Sequence, residues 1–280
     1  MWDALQFEFM RNAVAAGLLV SLVCGVIGTL VVVNRIVFLA GGIAHAAYGG
    51  IGLAFFMGWP YLAGTLGFSL GSAGIMAAVT LRYRHRADAM VGIIWAVGMA
   101  AGVILLDLTP GYHADLMSYL FGSILAVPSS DLWQMGLLAI LLIAVVAYDY
   151  QDFLAMSYDD EFARLRGVPV TFLYCLLMGM IAVTVVMIIR VVGLILVIAL
   201  LTIPPFIAEK FTGSLKAMMA VSSILSALFT LTGLWFSYLL NLTSGATIIL
   251  VAAAGFVIAA LWERLRRRPA PSAGTRSSSP

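Results

Sequence analysis

Residues 170–207 read VTFLYCLLMGMIAVTVVMIIRVVGLILVIALLTIPPFI, with Arg190 as their only charge. A helix needs about 20 apolar residues to cross about 30 Å of hydrocarbon. The stretch therefore holds two membrane segments end to end, 170–189 and 191–207, joined at Arg190-Val191-Val192-Gly193. The second is short and closes on Thr202-Ile203-Pro204-Pro205. It either crosses the bilayer or dips in and returns. Gly193, Thr202, Pro204 and Pro205 mark a broken helix lining a cavity or an ordinary proline kink. The choice sets the topology, since a full crossing gives nine spans and a dip gives eight.

Outward from this stretch, seven further runs meet the length requirement: 13–33, 36–57, 61–81, 90–106, 132–148, 217–240 and 245–262. The chain has 280 residues, 63% hydrophobic and 10% charged, with a mean hydropathy of +1.08. A soluble domain carries roughly a quarter charged residues, so lipid is the solvent for most of this surface. No alternating barrel pattern occurs, and the expected fold is an all-α polytopic membrane protein of eight or nine spans. It divides into a short segment 1–12, a membrane domain 13–262 and a tail 263–280, basic at first and then Pro/Ser-rich and disordered. With nine spans, all Lys and Arg except Arg11 and Arg190 fall on one side, which the positive-inside rule makes the cytoplasm. The C-terminus is then inside, the N-terminus outside, and the first run a retained span of an inner membrane. Arg190 is expected to reach the headgroups. Two loops exceed a turn. One, 107–131, is outside and contains an apolar stretch, 117–127, suited to a short surface helix. The other, 149–169, is inside and mixed in charge. Cys24 and Cys175 sit in apolar runs and read as packing residues.

Much chemistry is excluded. No G-x-x-x-x-G-K-[ST], H-E-x-x-H, C-x-x-C or G-x-S-x-G pattern occurs, so the chain is not expected to be an enzyme or to hydrolyse ATP alone. The net charge of +2, without a basic patch interleaved with aromatics, gives no sign of nucleic-acid binding. His45 stands near the middle of the second span. A charged residue there costs about 2.5–3.5 kcal/mol, whereas a neutral imidazole costs less and ligates borderline metal ions. Gly42, Gly49 and Gly52 share its helical face, where they admit either a close backbone or a watery path. His45 is accordingly either a packed histidine or part of an ion path. In the inner loop, Asp159-Asp160-Glu161-Phe162-Ala163-Arg164-Leu165-Arg166-Gly167 has acids first, bases last and a terminal glycine. That order predicts a short helix stopped by Gly167. Phe162 and Leu165 would share an exposed side, fit either for solvent or for docking a soluble partner. Asp107, His113 and Asp115 are candidates for a cation-gathering outer mouth, or ordinary loop residues.

Four stretches, in order, resemble the permeases of zinc, manganese and iron ABC importers: 41–46, 119–125, 159–168 and 191–204. The resemblance spans roughly 10–262 and implies the fold of type II ABC importer permeases. It implies a homodimer or paired permeases, two cytoplasmic ATPase subunits and an extracytoplasmic metal-binding protein. It also implies no stably bound cofactor, the ion being the substrate. Coupling to the ATPase would rest on Asp159, Asp160, Glu161, Phe162, Arg164 and Gly167, and the metal path on His45. Family members commonly carry an acid four residues before this histidine, where this chain has Gly41. Losing it shifts the expected metal towards zinc or iron, and His45 of a second protomer, carbonyls or water would complete the ligands. The runner-up is a permease for a metal chelate such as an iron-siderophore. A standalone secondary carrier would leave 159–167 unexplained.

Overall fold

A computed structural model describes residues 6–83, 86–110, 122 and 124–266. Among them are eleven α-helices and no strand. They are α1 (Glu8–Val33), α2 (Val37–Met57), α3 (Tyr61–Arg82), α4 (Ala87–Asp107), α5 (Ser129–Tyr148), α6 (Tyr150–Tyr158), α7 (Asp160–Leu165), α8 (Val170–Val192), α9 (Leu194–Phe211), α10 (Leu215–Leu240) and α11 (Ser244–Arg266). All but α6 and α7 are long and apolar enough to cross a membrane, nine spans among the described residues. The 191–207 segment is thus part of a helix long enough for a full crossing. Its helix runs unbroken through Pro204 and Pro205 to Phe211.

The interruption lies at Gly193 alone, with φ 79° and ψ 163°. A side chain is strained at such a φ, and glycine is not. One residue therefore separates α8 from α9. Gly122, itself at positive φ, tucks so closely against Val192 and Gly193 that a Cβ would collide with their backbone.

Prolines 204 and 205 lack the N–H groups that residues 200 and 201 would accept from. One freed oxygen has a visible neighbour. A Cβ on Gly28 of α1 would sit 2.6 Å from the Leu201 oxygen and 2.9 Å from Pro205 Cγ. The bare glycine lets α1 cover this irregularity at close range. Further along the same face, Gly25 meets the backbone of Ser223, and Ser21 Oγ donates to Thr230 Oγ1 at 3.2 Å. These small residues seat α1 against α9 and α10, and Ala13, Ala16, Val20, Cys24 and Ile27 are buried in the centre of the bundle. Cys24 packs as expected, but Cys175 faces outward.

The helix ends carrying Asn34, Arg82, Lys210 and Lys216 lie together at what we call the basic end. There Asn34 Nδ2 donates to Ser157 Oγ at 2.9 Å, Lys210 pairs with Glu263 at 2.6 Å, and Lys216 lies 4.7 Å from the centre of the Tyr150 ring. The sequence reading missed α6, whose Phe153 and Met156 are buried against the bundle one turn apart.

Candidate functional site

At the basic end, residues 159–168 form a capped knob. Asp159 is the N-cap of α7, and its carboxylate accepts from the Phe162 N–H at 2.9 Å. Asp160 and Glu161 occupy the first turn and Arg164 the last, matching the helix dipole. At the other end, Gly167 (φ 83°) donates to the Arg164 oxygen at 3.0 Å and Val168 donates to the Ala163 oxygen at 3.0 Å. This double closure is the Schellman arrangement, which requires a left-handed residue after the helix. Ala163 is fully buried and anchors the turn, while Phe162 is 54% and Leu165 87% exposed. Arg166 lies 5.7 Å from the Phe162 ring centre and flanks its face. Beside the knob opens a cleft of about 650 Å³, lined among others by Arg35, Asp88, Asp159, Asp160, Glu161 and Arg164. The outcome is an apolar ridge rimmed by charge, held rigidly at the edge of the membrane domain.

His45 lies on α2 beside α4. Its Nδ1 is 2.8 Å from the Gly41 oxygen. A carbonyl only accepts, so Nδ1 carries the proton and Nε2 keeps its lone pair for a cation. The ring packs against Trp95 of α4, centroids 4.0 Å apart and planes inclined by 33°. Phe38, also on α2, lies against Trp95 with centroids 6.0 Å apart. At Gly41 an added Cβ would meet only Ile198 Cδ1, at 4.0 Å, so space remains where an acid is absent.

Gly42 and Gly49 do not line an open path. A Cβ on Gly42 would stand 2.6 Å from Val91 Cγ1, and one on Gly49 2.8 Å from the Gly98 oxygen. Gly52 and Gly102 abut backbone to backbone. The glycine face is filled by α4, because its small residues permit an approach that side chains would block. The matching signal was Gly98-x-x-x-Gly102, which sequence reasoning missed along with Trp95.

At the opposite end, Arg190 finds partners within the protein. It pairs with Asp131 of α5 at 3.3 Å and lies 5.5 Å from the ring centre of Tyr61 on α3. A nearby carboxylate and an aromatic face compete well with solvent for a guanidinium. Asp107 closes α4, whereas His113 and Asp115 lie outside the described residues. Of the expected short helix at 117–127, the described part is Gly122 and a 3₁₀ turn, Ile124–Ala126, with Ile124 buried. Thr202, on α9, donates its hydroxyl to the Ile198 oxygen at 2.7 Å. No group of three or more His, Cys, Asp or Glu among the described residues could hold a metal ion.

The model of the ABC 3 transport family matches residues 6–263. An uncharacterized membrane protein of Synechocystis is 51% identical over 94% of each chain. A manganese transport system membrane protein of Listeria monocytogenes is 34% identical over 92% of each. The solved structure of PsaBC from Streptococcus pneumoniae in complex with Fab aligns at a TM-score of 0.84 with 30% identity, covering 92% of this chain and 93% of the other. An inward-facing ABC transporter described as of the metal-chelate type aligns at 0.74 with 16% identity, covering 90% and 86%, a likeness of fold alone.

Proposed function

The chain belongs to the ABC 3 transport family, and on that premise we propose that it is the membrane-spanning subunit of an importer for a divalent transition metal ion. The ion is the substrate rather than a resident cofactor. The observation that carries this reading is the knob, where Phe162 and Leu165 stand exposed on a helix capped at both ends. A soluble ATPase can grip such a ridge and return force through it. The chain itself has no phosphate-binding loop. In this reading the basic end and the C-terminus face the cytoplasm. A binding protein delivers the ion at the opposite end, where Asp107, His113 and Asp115 are candidates for gathering it.

One protomer offers a single imidazole nitrogen, so a second copy is proposed to bring its own His45 across a two-fold axis. Two nitrogens, with water or carbonyl oxygens, make a site weak enough for transit, which a closed tetrahedral cage is not. With glycine at position 41, nitrogen donors dominate, and such donors suit zinc or iron better than manganese. The Listeria relative reported above is named for manganese, so the metal is the point to test.

The test is ATP-dependent uptake of radioactive zinc and manganese by the complete complex in proteoliposomes. His45→Ala is expected to lower zinc uptake by about tenfold or more, with the ATPase still co-purifying. Wild-type rates in that variant would remove His45 from the path. Uptake by the isolated chain, without nucleotide or ATPase, would overturn the importer reading itself.

A further inference from the structure

We propose that Trp95 is a positioning residue for the transported ion, holding the His45 imidazole so that Nε2 alone is offered. The proposal rests on the reading of His45 as part of the ion path. Three observations converge on it.

First, the imidazole is held twice. Its Nδ1 is tied to the Gly41 oxygen at 2.8 Å, and one face of the ring is covered by the Trp95 indole at 4.0 Å. A ring free to rotate about its two side-chain torsions would present either nitrogen in many directions. Fixed by a hydrogen bond and a ring contact, it presents one.

Second, the stretch of α4 that carries Trp95 is itself fixed by close contact with α2. Four residues before it, Val91 presses on Gly42, and three residues after it, Gly98 presses on Ala46, where a Cβ would lie 3.1 Å from the Ala46 Cα. The two glycine contacts bracket the indole along α4 and lock its height against the imidazole. A shift of either helix by one residue, about 1.5 Å, would break both contacts together.

Third, the imidazole has an aromatic neighbour and no carboxylate. Trp95 covers one ring face, and Phe38, about two turns before His45 on α2, also lies against Trp95, centroids 6.0 Å apart. Position 41, whose oxygen holds Nδ1, has no side chain, and an added Cβ would first meet Ile198 Cδ1 at 4.0 Å. A cation bound at Nε2 draws positive charge onto the imidazole, and the electron-rich indole face stabilises that charge. Tryptophan does this best among the aromatics. Trp95 thus substitutes an aromatic face for the carboxylate that Gly41 lacks. It orients the imidazole without adding an oxygen ligand.

The experiment is equilibrium dialysis of radioactive zinc against the purified full-length permease in nanodiscs, paired with uptake by the complete complex. Trp95→Leu is expected to weaken zinc binding about tenfold and Trp95→Phe about threefold, while ATPase co-purification stays unchanged. A purely structural role would lower the melting temperature in step with affinity, whereas the positioning role predicts the graded loss at an unchanged melting temperature. Should Trp95→Leu fail to yield monodisperse protein, Trp95→Phe against wild type decides the matter. Wild-type zinc affinity in Trp95→Phe and in any folded Trp95→Leu, with binding lost in His45→Ala, overturns the proposal and leaves the ion path standing. Unchanged binding and uptake in His45→Ala overturn both.

Discussion

The contact between α2 and α4 and the knob at α6–α7 are both tightly built, by opposite means. Between α2 and α4 the buried face of α4 is Val91, Gly98, Gly102 and Leu106, while Ile93, Val97 and Ile104 point away from the bundle and are just as apolar. In lipid no hydrophobic gain distinguishes the two faces, so the association draws on close packing, and glycine supplies the closeness. The knob obeys the rules of water. Phe153 and Ala163 are fully buried, Asp159 caps one end, and Gly167 closes the other. The lesson is that removing space breaks the first region, whereas removing a hydrogen bond breaks the second.

The largest effect is expected from Gly102→Val. A Cβ there runs into the Tyr48 carbonyl, and backbone cannot yield as a side-chain tip does. A loss of about 3 kcal/mol or more is expected, read as a collapse of monodisperse protein in size-exclusion chromatography. A Gly102→Val protein of wild-type stability would mean that the two helices are not held by closeness. Next is Asp159→Ala, which removes the N-cap and costs about 1 kcal/mol of knob stability. It should weaken ATPase association about fivefold while leaving the melting temperature of the membrane bundle unchanged. Asp159→Asn keeps an acceptor and should restore association, which ties the effect to the cap and not to charge. The smallest effect is expected from Arg190→Gln. Its side chain is 55% exposed, so losing the pair with Asp131 should cost about 0.5 kcal/mol. A much larger loss in chemical denaturation would show this end to be built more like the first region.

Legibility in the sequence follows the same divide. Hydropathy placed every crossing within a few residues, because nothing but apolar runs of sufficient length can cross. The ends of α7 were readable because three acids, two arginines and a glycine follow in that order at the required offsets. What stayed hidden was which glycines touch which. With 27 in the chain, Gly98-x-x-x-Gly102 does not stand out, and no spacing rule brings Trp95 to His45. The pairing of α2 with α4 is a fact of packing among equally oily surfaces. Two partners stayed hidden for related reasons. Arg190 found Asp131, whose nearness no local pattern encodes, and Pro204-Pro205 stayed helical with a bare glycine of α1 brought up to the disturbed turn.

Helix α8 begins at Val170, two residues beyond the Val168 that closes the knob, and ends at Val192, just past Arg190. Its 23 residues make a rod of about 34 Å, free of proline. If the knob is the ATPase handle we propose, one stiff beam carries it at one tip, through Val168 and Pro169, and the Asp131–Tyr61 clasp at the other, with a one-residue pivot at Gly193. If it tilts about its middle, its tips swing in opposite senses. A tug on the knob would then reach the clasp along a single helix.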